Sequence, residues 1–324
     1  MNSTQPTFFA AMSLPNIAIV IPCYNEQEVL PVTVPKMISI IEDLRARGRI
    51  GEDSSVTFVD DGSRDRTWSL IEDAATRHAC VHGIKLSRNR GHQNALMAGL
   101  LTVEGDAVIS VDADLQDDLA AIEKMIEKFS AGTEIVYGVR SRRATDTFFK
   151  RLSAEGYYRV LALVGVDVVF NHADYRLMGR SAIEALRQYN EVNLFLRGII
   201  PQLGFSTDVV YYERSERVAG ESKYPLGKML SLAWNGLTSF SSLPLRWITL
   251  LGVVISLVSF GFGLWALCVG LFSSRVLPGW ASTVIPMYFI GGIQLLSLGV
   301  IGEYVSKIYT ESKRRPRFVI ERKL

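Results

Sequence analysis

The sequence predicts an α/β protein: a mostly parallel sheet with helices on both faces, followed by an amphipathic helix and a hairpin of two membrane-spanning helices. Three observations carry this. Short β-branched runs alternate with longer helical patterns through the first two-thirds of the 324 residues. Several of the short runs are apolar throughout, as strands buried on both faces are. Beyond Arg246 the charges stop: apart from Arg275, no Asp, Glu, Lys or Arg occurs from Trp247 until Glu303.

The strands come first. Ile17-Ala18-Ile19-Val20-Ile21, Val56-Thr57-Phe58-Val59, Ile84-Lys85-Leu86, Ala107-Val108-Ile109-Ser110-Val111 and Ile135-Val136-Tyr137 are too short for helices. Between them Glu28–Arg47, Thr67–Arg77, Asn94–Thr102 and Asp118–Phe129 show the apolar recurrence of a helix with one covered face, and Asp65 stands where it caps the second. A less regular stretch then leads to a strand at Val209-Val210-Tyr211-Tyr212. From Leu226 to Phe240 apolar residues recur with a period of 3.6, with Lys223 and Lys228 beside them, the pattern of a helix lying on a bilayer; a core-packing helix of the first domain has the same stripe, and the nearby first span favours the bilayer. Trp247–Leu271 and Ser282–Ile301 each reach the ~20 residues that cross a hydrocarbon core, and Trp247 and Trp280 stand where interfacial aromatics belong. Lys307, Lys313, Arg314, Arg315, Arg317, Arg322 and Lys323 crowd the end of the chain, which places that tail in the cytoplasm by the positive-inside rule. A two-span hairpin returns the chain to its starting side, so the first domain is expected there too. The resulting division is a domain over 1–225, the surface helix over 226–244, the hairpin over 245–304 and a basic tail over 305–324. Gly292 and Gly299 offer a flat strip for close helix contact.

Composition narrows the function. Thirty-five basic residues against 33 acidic ones leave a formal charge of +2, too balanced for a partner such as bulk nucleic acid, and 48% hydrophobic residues exclude disorder. Cys23, Cys80 and Cys268 have no metal-knuckle or disulfide spacing and read as small buried hydrophobes on the reducing side of a membrane. Met1–Leu14 lacks the basic start and apolar length of a signal peptide, so the first domain is expected to stay in the cytoplasm.

The chemistry is concentrated at strand ends. The run Val111-Asp112-Ala113-Asp114-Leu115-Gln116-Asp117-Asp118 takes a buried strand straight into carboxylates. Ligands of open α/β sheets bind beyond the carboxyl ends of strands, so Asp112 and Asp114 suit a hard divalent cation bridging a nucleotide's phosphates. Asp117 and Asp118 read instead as the cap of the following helix. Pro22-Cys23-Tyr24-Asn25-Glu26 and Asp60-Asp61-Gly62-Ser63 end two further strands, and no Gly-rich phosphate loop follows the first. His92, after Gly91 at a helix start, is placed to meet a diphosphate.

These segments, with Leu86-Ser87-Arg88-Asn89-Arg90-Gly91-His92, Asp174-Tyr175-Arg176-Leu177-Met178 and Arg217-Val218-Ala219-Gly220-Glu221-Ser222-Lys223, resemble the serial motifs of family 2 glycosyltransferases of the GT-A fold. Within that family the chain looks most like the polyprenyl-phosphate glycosyltransferases, in particular the bactoprenol glucosyltransferases of O-antigen glucosylation. The resemblance covers nearly the whole chain and implies a multi-pass protein of the inner membrane. Its implied reaction is inverting transfer of a hexose, glucose first, from a nucleotide sugar such as UDP-glucose to undecaprenyl phosphate. By the same resemblance Pro22, Tyr24, Glu26, Asp61, Asp112 and Ala113 hold the nucleotide sugar, and Asp112, Asp114 and Gln116 hold Mg²⁺ or Mn²⁺. Arg140, Arg151, Arg217 and Lys223 match positions for the acceptor phosphate. Glu155 departs from the Ser that related enzymes carry near the residue matching Arg151. Asp174 is placed beside the reacting sugar, where it could bind donor hydroxyls, orient the acceptor or act as a base. A homo-oligomer, up to a tetramer, is also implied. Other donors (GDP-mannose or an aminoarabinose derivative) and a catalytically silent nucleotide-sugar-binding scaffold are the competing readings. A processive synthase is disfavoured by the missing Gln-x-x-Arg-Trp motif.

Overall fold

A computed structural model describes residues 14–141, 172–192, 194–213, 243–272 and 280–324. It falls into two compact units, one built on a sheet and one on two long helices.

The sheet has eight strands: β1 (Ile17–Cys23), β2 (Ser55–Asp60), β3 (Val81–Leu86), β4 (Ala107–Ser110), β5 (Ile135–Arg140), β6 (His172–Gly179), β7 (Thr207–Tyr212) and β8 (Ile320–Lys323), in the order β7-β5-β6-β4-β1-β2-β3-β8. All run parallel except β6 and β8. Every residue of β1 is buried, so this strand has no solvent face and its sequence needs no polar alternation. Ile17, Ile19 and Ile21 join a core with Met37, Ile38 and Ile41 of α1 (Leu30–Ala46), Ile71 of α2 (Thr67–Arg77) and Met125 and Ile126 of α4 (Ala121–Ser130). The alternate residue Val20 faces α3 (His92–Thr102), where Gly99 lets the helix approach: a Cβ there would lie 2.3 Å from Val20 Cγ1. Helices therefore cover both faces, with α5 (Arg180–Arg187) and α6 (Leu196–Gln202) completing the unit. Asp65 accepts from the backbone N–H of Thr67 at 3.0 Å and so caps α2 as the sequence suggests.

The structure departs from the sequence reading in several places. The stretch read as irregular before β7 contains the central antiparallel strand β6, which pairs with both β4 and β5. Within the basic tail over 305–324, residues 305–312 finish a helix, and β8 pairs antiparallel with β3, with Lys85 and Arg322 opposite one another and a 2.9 Å ion pair from Lys85 to Glu321. Among the described residues Asp117 caps no helix. It is buried and binds Tyr212 and Arg140, while Asp118 alone holds the start of α4 through the Ala120 N–H. Cys23 and Cys80 are buried, but Cys268 is exposed.

The second unit contains α7 (Leu243–Phe272) and α8 (Trp280–Ser312), of 30 and 33 residues. Both are long and apolar enough to cross a membrane, over Leu243–Phe262 and Phe289–Ser312, and none of either window is buried within the chain. The second helix continues eleven residues past Ile301, where the sequence placed its end. A Cβ added at Gly292 or Gly299 would meet nothing within 4 Å beyond the local helix, among the described residues. The bilayer-helix stripe, Leu226 to Phe240, lies outside the described residues, as do Arg151, Glu155, Arg217 and Lys223.

Candidate active site

The carboxyl ends of β1, β2, β3, β4 and β5 open on one edge, and antiparallel β6 brings its amino end to the same edge. Ser110 pairs with Arg176 in the β4–β6 ladder, so continuing that register sets Asp174 opposite Asp112. This converts two distant motifs into one site.

Three loops are stitched together there. Asn25, at φ 56°, donates its N–H to Ser63 Oγ at 2.9 Å and accepts from the Arg64 N–H at 2.9 Å. The Glu26 N–H reaches Thr67 Oγ1 at 2.8 Å, and Thr67 Oγ1 in turn donates to Asp65 at 2.6 Å. The Asp61 carboxylate then crosses to the third loop, accepting from the N–H groups of Arg90 at 2.7 Å and Gly91 at 2.8 Å. Only glycine fits at position 62, where φ is +67° and a Cβ would sit 2.6 Å from the backbone of Arg88 and Asn89. Burial raises Asp61 above the usual carboxylate range, against the pull of those two N–H bonds. Asp61 is 2% exposed, so it braces these loops from beneath. Tyr24 is exposed above them and Glu26 is half-buried, whereas Pro22 is buried.

The acidic run after β4 turns sharply at Leu115, at φ 49°. Thr33 Oγ1 of α1 holds the Ala113 carbonyl at 2.8 Å, which anchors the run to the core. Gln116 donates its side-chain N–H to Asp114 Oδ2 at 2.6 Å. Asp112 faces His92, whose Nε2 stands 3.6 Å from Asp112 Oδ1 and 3.7 Å from Asp174 Oδ2. Withdrawal from water, opposed by His92 and reinforced by the carboxylates of Asp174, Asp117 and Asp114, pushes Asp112 up to about 6.

Asp174 sits in the opposite environment. Arg176 donates to its Oδ1 at 2.5 Å, and Arg197 of α6 donates Nε to Oδ1 at 3.3 Å and Nη2 to Oδ2 at 3.2 Å. Burial alone would raise Asp174; Arg176, Arg197 and His92 reverse this and hold it well below the usual carboxylate range. Arg140 is drawn to the acidic loop: its Nη2 donates to Asp117 and its Nε to Tyr212 Oη, both at 3.2 Å. The structure thus brings Arg140 to the site edge, engaged with a buried carboxylate.

The family model described as glycosyl transferase family 2 matches residues 18–187. The chain belongs to glycosyl transferase family 2. Its relatives in this family include an uncharacterized glycosyltransferase, YkoT, of Bacillus subtilis, 49% identical over 95% of this chain and 92% of the relative. The bactoprenol glucosyl transferase of Shigella phage SfV is 39% identical over 94% of this chain and 98% of its own. Among solved structures, the mannosyltransferase PcManGT of Pyrobaculum calidifontis, in complex with GDP-Man and Mn²⁺, is 16% identical with a TM-score of 0.46, covering 92% of this chain and 85% of that one.

The donor set of this family 2 glycosyltransferase suits a hard cation. Among the described residues no three His, Cys, Asp or Glu side chains converge as a closed metal cage. Mg²⁺ ordinarily takes one or two carboxylates and completes its shell with phosphate oxygens and water. Asp112 and Asp114 are two such carboxylates at one strand end, and Asp112 is raised first by withdrawal from water and then by the neighbouring carboxylates.

Arg197 was not singled out in the sequence. Its helix, Leu-Arg-Gly-Ile-Ile-Pro-Gln, is short and carries a proline, and nothing in it announces a partner 23 residues upstream.

Proposed function

We propose that this glycosyltransferase moves a hexose, glucose first, from UDP-glucose to undecaprenyl phosphate at the cytoplasmic face of the inner membrane. The observation that carries the reading is the strand-end pair Asp112 and Asp174, joined by one imidazole and oppositely charged in their surroundings. Asp112 and Asp114, with Gln116 holding Asp114 in place, would hold Mg²⁺ or Mn²⁺, which supplies charge neutralisation for the departing nucleoside diphosphate. Tyr24 and Glu26 are assigned to the nucleoside; their position above loops that Asp61 fixes supports this.

The acceptor phosphate oxygen is already anionic at neutral pH, so it attacks the anomeric carbon without surrendering a proton. One displacement inverts that carbon. The chain's task is then to hold nucleophile and donor in line and to compensate charge. Arg140, Arg151, Arg217 and Lys223 are assigned to the acceptor phosphate. Arg140 would serve there by exchanging part of its contact with Asp117.

A membrane acceptor is supported by α7 and α8 and by the relatives named bactoprenol glucosyl transferase. Connectivity adds to this, because β8 follows α8 yet belongs to the sheet. One crossing by each helix satisfies that return. The basic residues after Tyr304 favour the cytoplasmic side.

The test is to incubate membranes containing the protein with labelled UDP-glucose, undecaprenyl phosphate and Mg²⁺. A lipid-extractable labelled product is expected, and GDP-mannose and UDP-GlcNAc run in parallel identify the donor. No labelled lipid from any of these sugars would refute the reading.

A further inference from the structure

The loop from β4 to α4 carries Asp112 and Asp114, and its far end is held by two tyrosines from other strands. Tyr212, the last residue of β7, donates its hydroxyl to Asp117 Oδ1 at 2.5 Å. Tyr175 of β6 donates to the Asp118 carbonyl at 3.1 Å. Their rings meet edge to face, 5.3 Å apart at 80°, so one aromatic pair grips two consecutive loop residues. Thr33 Oγ1 holds the Ala113 carbonyl at the near end. Asp114, Leu115 and Gln116 therefore form a short arc between fixed points, bent by the left-handed backbone of Leu115.

The hydroxyls add something that packing does not require. Tyr175 is 0% and Tyr212 4% exposed, and their rings fill the core as phenylalanine would. A buried hydroxyl must find a partner to offset its lost hydration, so what it contributes beyond a bare ring is direction. Helix α4 is already seated by Ala121, Ile122, Met125 and Ile126. Burial, reinforced by Asp117, raises both hydroxyls above the ordinary tyrosine range, which keeps them protonated and donating. As neutral donors they hold the loop without altering the charge balance among Asp112, Asp114, Asp117 and Asp174 and the cations that face them, His92, Arg140, Arg176 and Arg197.

We propose that Tyr175 and Tyr212 are positioning residues for the divalent cation: by holding Asp118 and Asp117 they fix the arc that carries Asp114 and Gln116. Both roles rest on the reading above of Asp112 and Asp114 as cation ligands, and deepen it. Each tyrosine acts through the loop rather than on the cation.

The test uses the full chain in detergent micelles, with Tyr175→Phe and Tyr212→Phe, which remove one oxygen each and keep the rings. Binding of Mn²⁺ in the presence of UDP is followed by electron paramagnetic resonance, whose spectrum also reports the geometry around the bound ion. Melting temperature and the Mg²⁺ requirement for label transfer are measured alongside. Each variant should weaken Mn²⁺ about three- to tenfold, the loss of one directed hydrogen bond, and change the spectrum of the ion that still binds. Melting should move by no more than about 4 °C. The Mg²⁺ concentration for half-maximal transfer should rise by a similar factor, with excess Mg²⁺ restoring most of the rate. Unchanged Mn²⁺ affinity and spectrum in both variants, or losses that scale with the fall in melting temperature, would overturn the positioning role. A wild-type chain that transfers no label yet binds Mn²⁺ with UDP, and loses it selectively in the two variants, would sink the transferase reading and leave this assignment standing. Label transfer by a wild-type chain that binds neither Mn²⁺ nor Mg²⁺ would do the reverse.

Discussion

Replacing Asp61 by alanine separates two jobs that its motif could perform. In the structure its carboxylate accepts from two backbone N–H groups, at 2.7 and 2.8 Å, on the loop that leads into α3. Removing it strands both donors in a site that is 2% exposed. An orphaned buried donor costs about 1–3 kcal/mol. Burial opposes the charge of Asp61, so part of each bond already offsets desolvation, and the net loss for Asp61→Ala is about 2–4 kcal/mol. At about 2–4 °C per kcal/mol for a domain of this size, melting should fall by about 5–15 °C. Asp61→Asn retains one acceptor and should lose roughly half as much. Differential scanning fluorimetry of the full chain in detergent gives the melting temperature, and calorimetry with UDP and Mg²⁺ gives donor affinity. The brace predicts that both fall together in both variants. If Asp61→Ala melted with the wild type while UDP binding collapsed, the carboxylate would act by touching the nucleotide, and the bracing argument would be refuted.

Other outcomes follow from the same geometry. Asp114→Asn should reduce label transfer by at least about a hundredfold while leaving melting within a few degrees, because it removes a cation ligand from a partly open loop; full activity would exclude Asp114 from the metal site. Since Asp112 is raised to about 6 in the metal-free chain, Mg²⁺ must displace a proton below that pH. Magnesium-dependent UDP binding should therefore be flat above pH 7 and weaken by up to about tenfold per unit below 6, which calorimetry across pH would show. Gly62→Ala should be destabilising and impair UDP binding, since its Cβ meets backbone atoms that no rotamer can move. Deleting Pro316–Leu324 should lower melting and promote aggregation, read by light scattering, because it leaves the β3 edge unpaired.

How much of this was legible in the sequence depends on which physical signal each element carries. The strands β1, β2, β4 and β5 announce themselves because burial on both faces fills them mostly with apolar and β-branched residues, polar ones such as Thr57 and Ser110 being few. Strand β6 hides for the opposite reason. Its run His-Ala-Asp-Tyr-Arg-Leu-Met-Gly places Asp174 and Arg176 in the interior, where each satisfies the other's charge, so polarity that signals surface elsewhere signals a buried pair here. Strand β8 reads as a basic tail because Arg322 and Lys323 belong to an edge; its place follows from ladder bonds to β3 and the Arg322–Glu72 ion pair, which no local pattern encodes. The strand-end acidic motifs were visible as residues, but only the antiparallel register of β6 sets Asp174 across from Asp112. Arg197 lay beyond reach because its contact with Asp174 exists only once α6 packs beside that strand.

The site's chemistry turns on the contrast between those two carboxylates. A single His92 nitrogen lies within 3.7 Å of both, so they share one electrostatic neighbourhood, yet one is driven up and the other down. When environments push neighbouring acids apart in this way, their tasks differ. Asp174 is saturated with guanidinium charge, and a proton could reach it only by competing with two arginines, which argues against its taking one from a substrate at neutral pH. Asp112 is withdrawn from water with carboxylates near it and, among the described residues, the imidazole of His92 opposing them, so a cation beside it would favour its charged form. Exchanging the roles would require Arg176 and Arg197 to abandon Asp174, and Arg176 is sealed in the interior at 1% exposure. The contrast between the two carboxylates is therefore built into the packing of β6 rather than left to an arriving ligand.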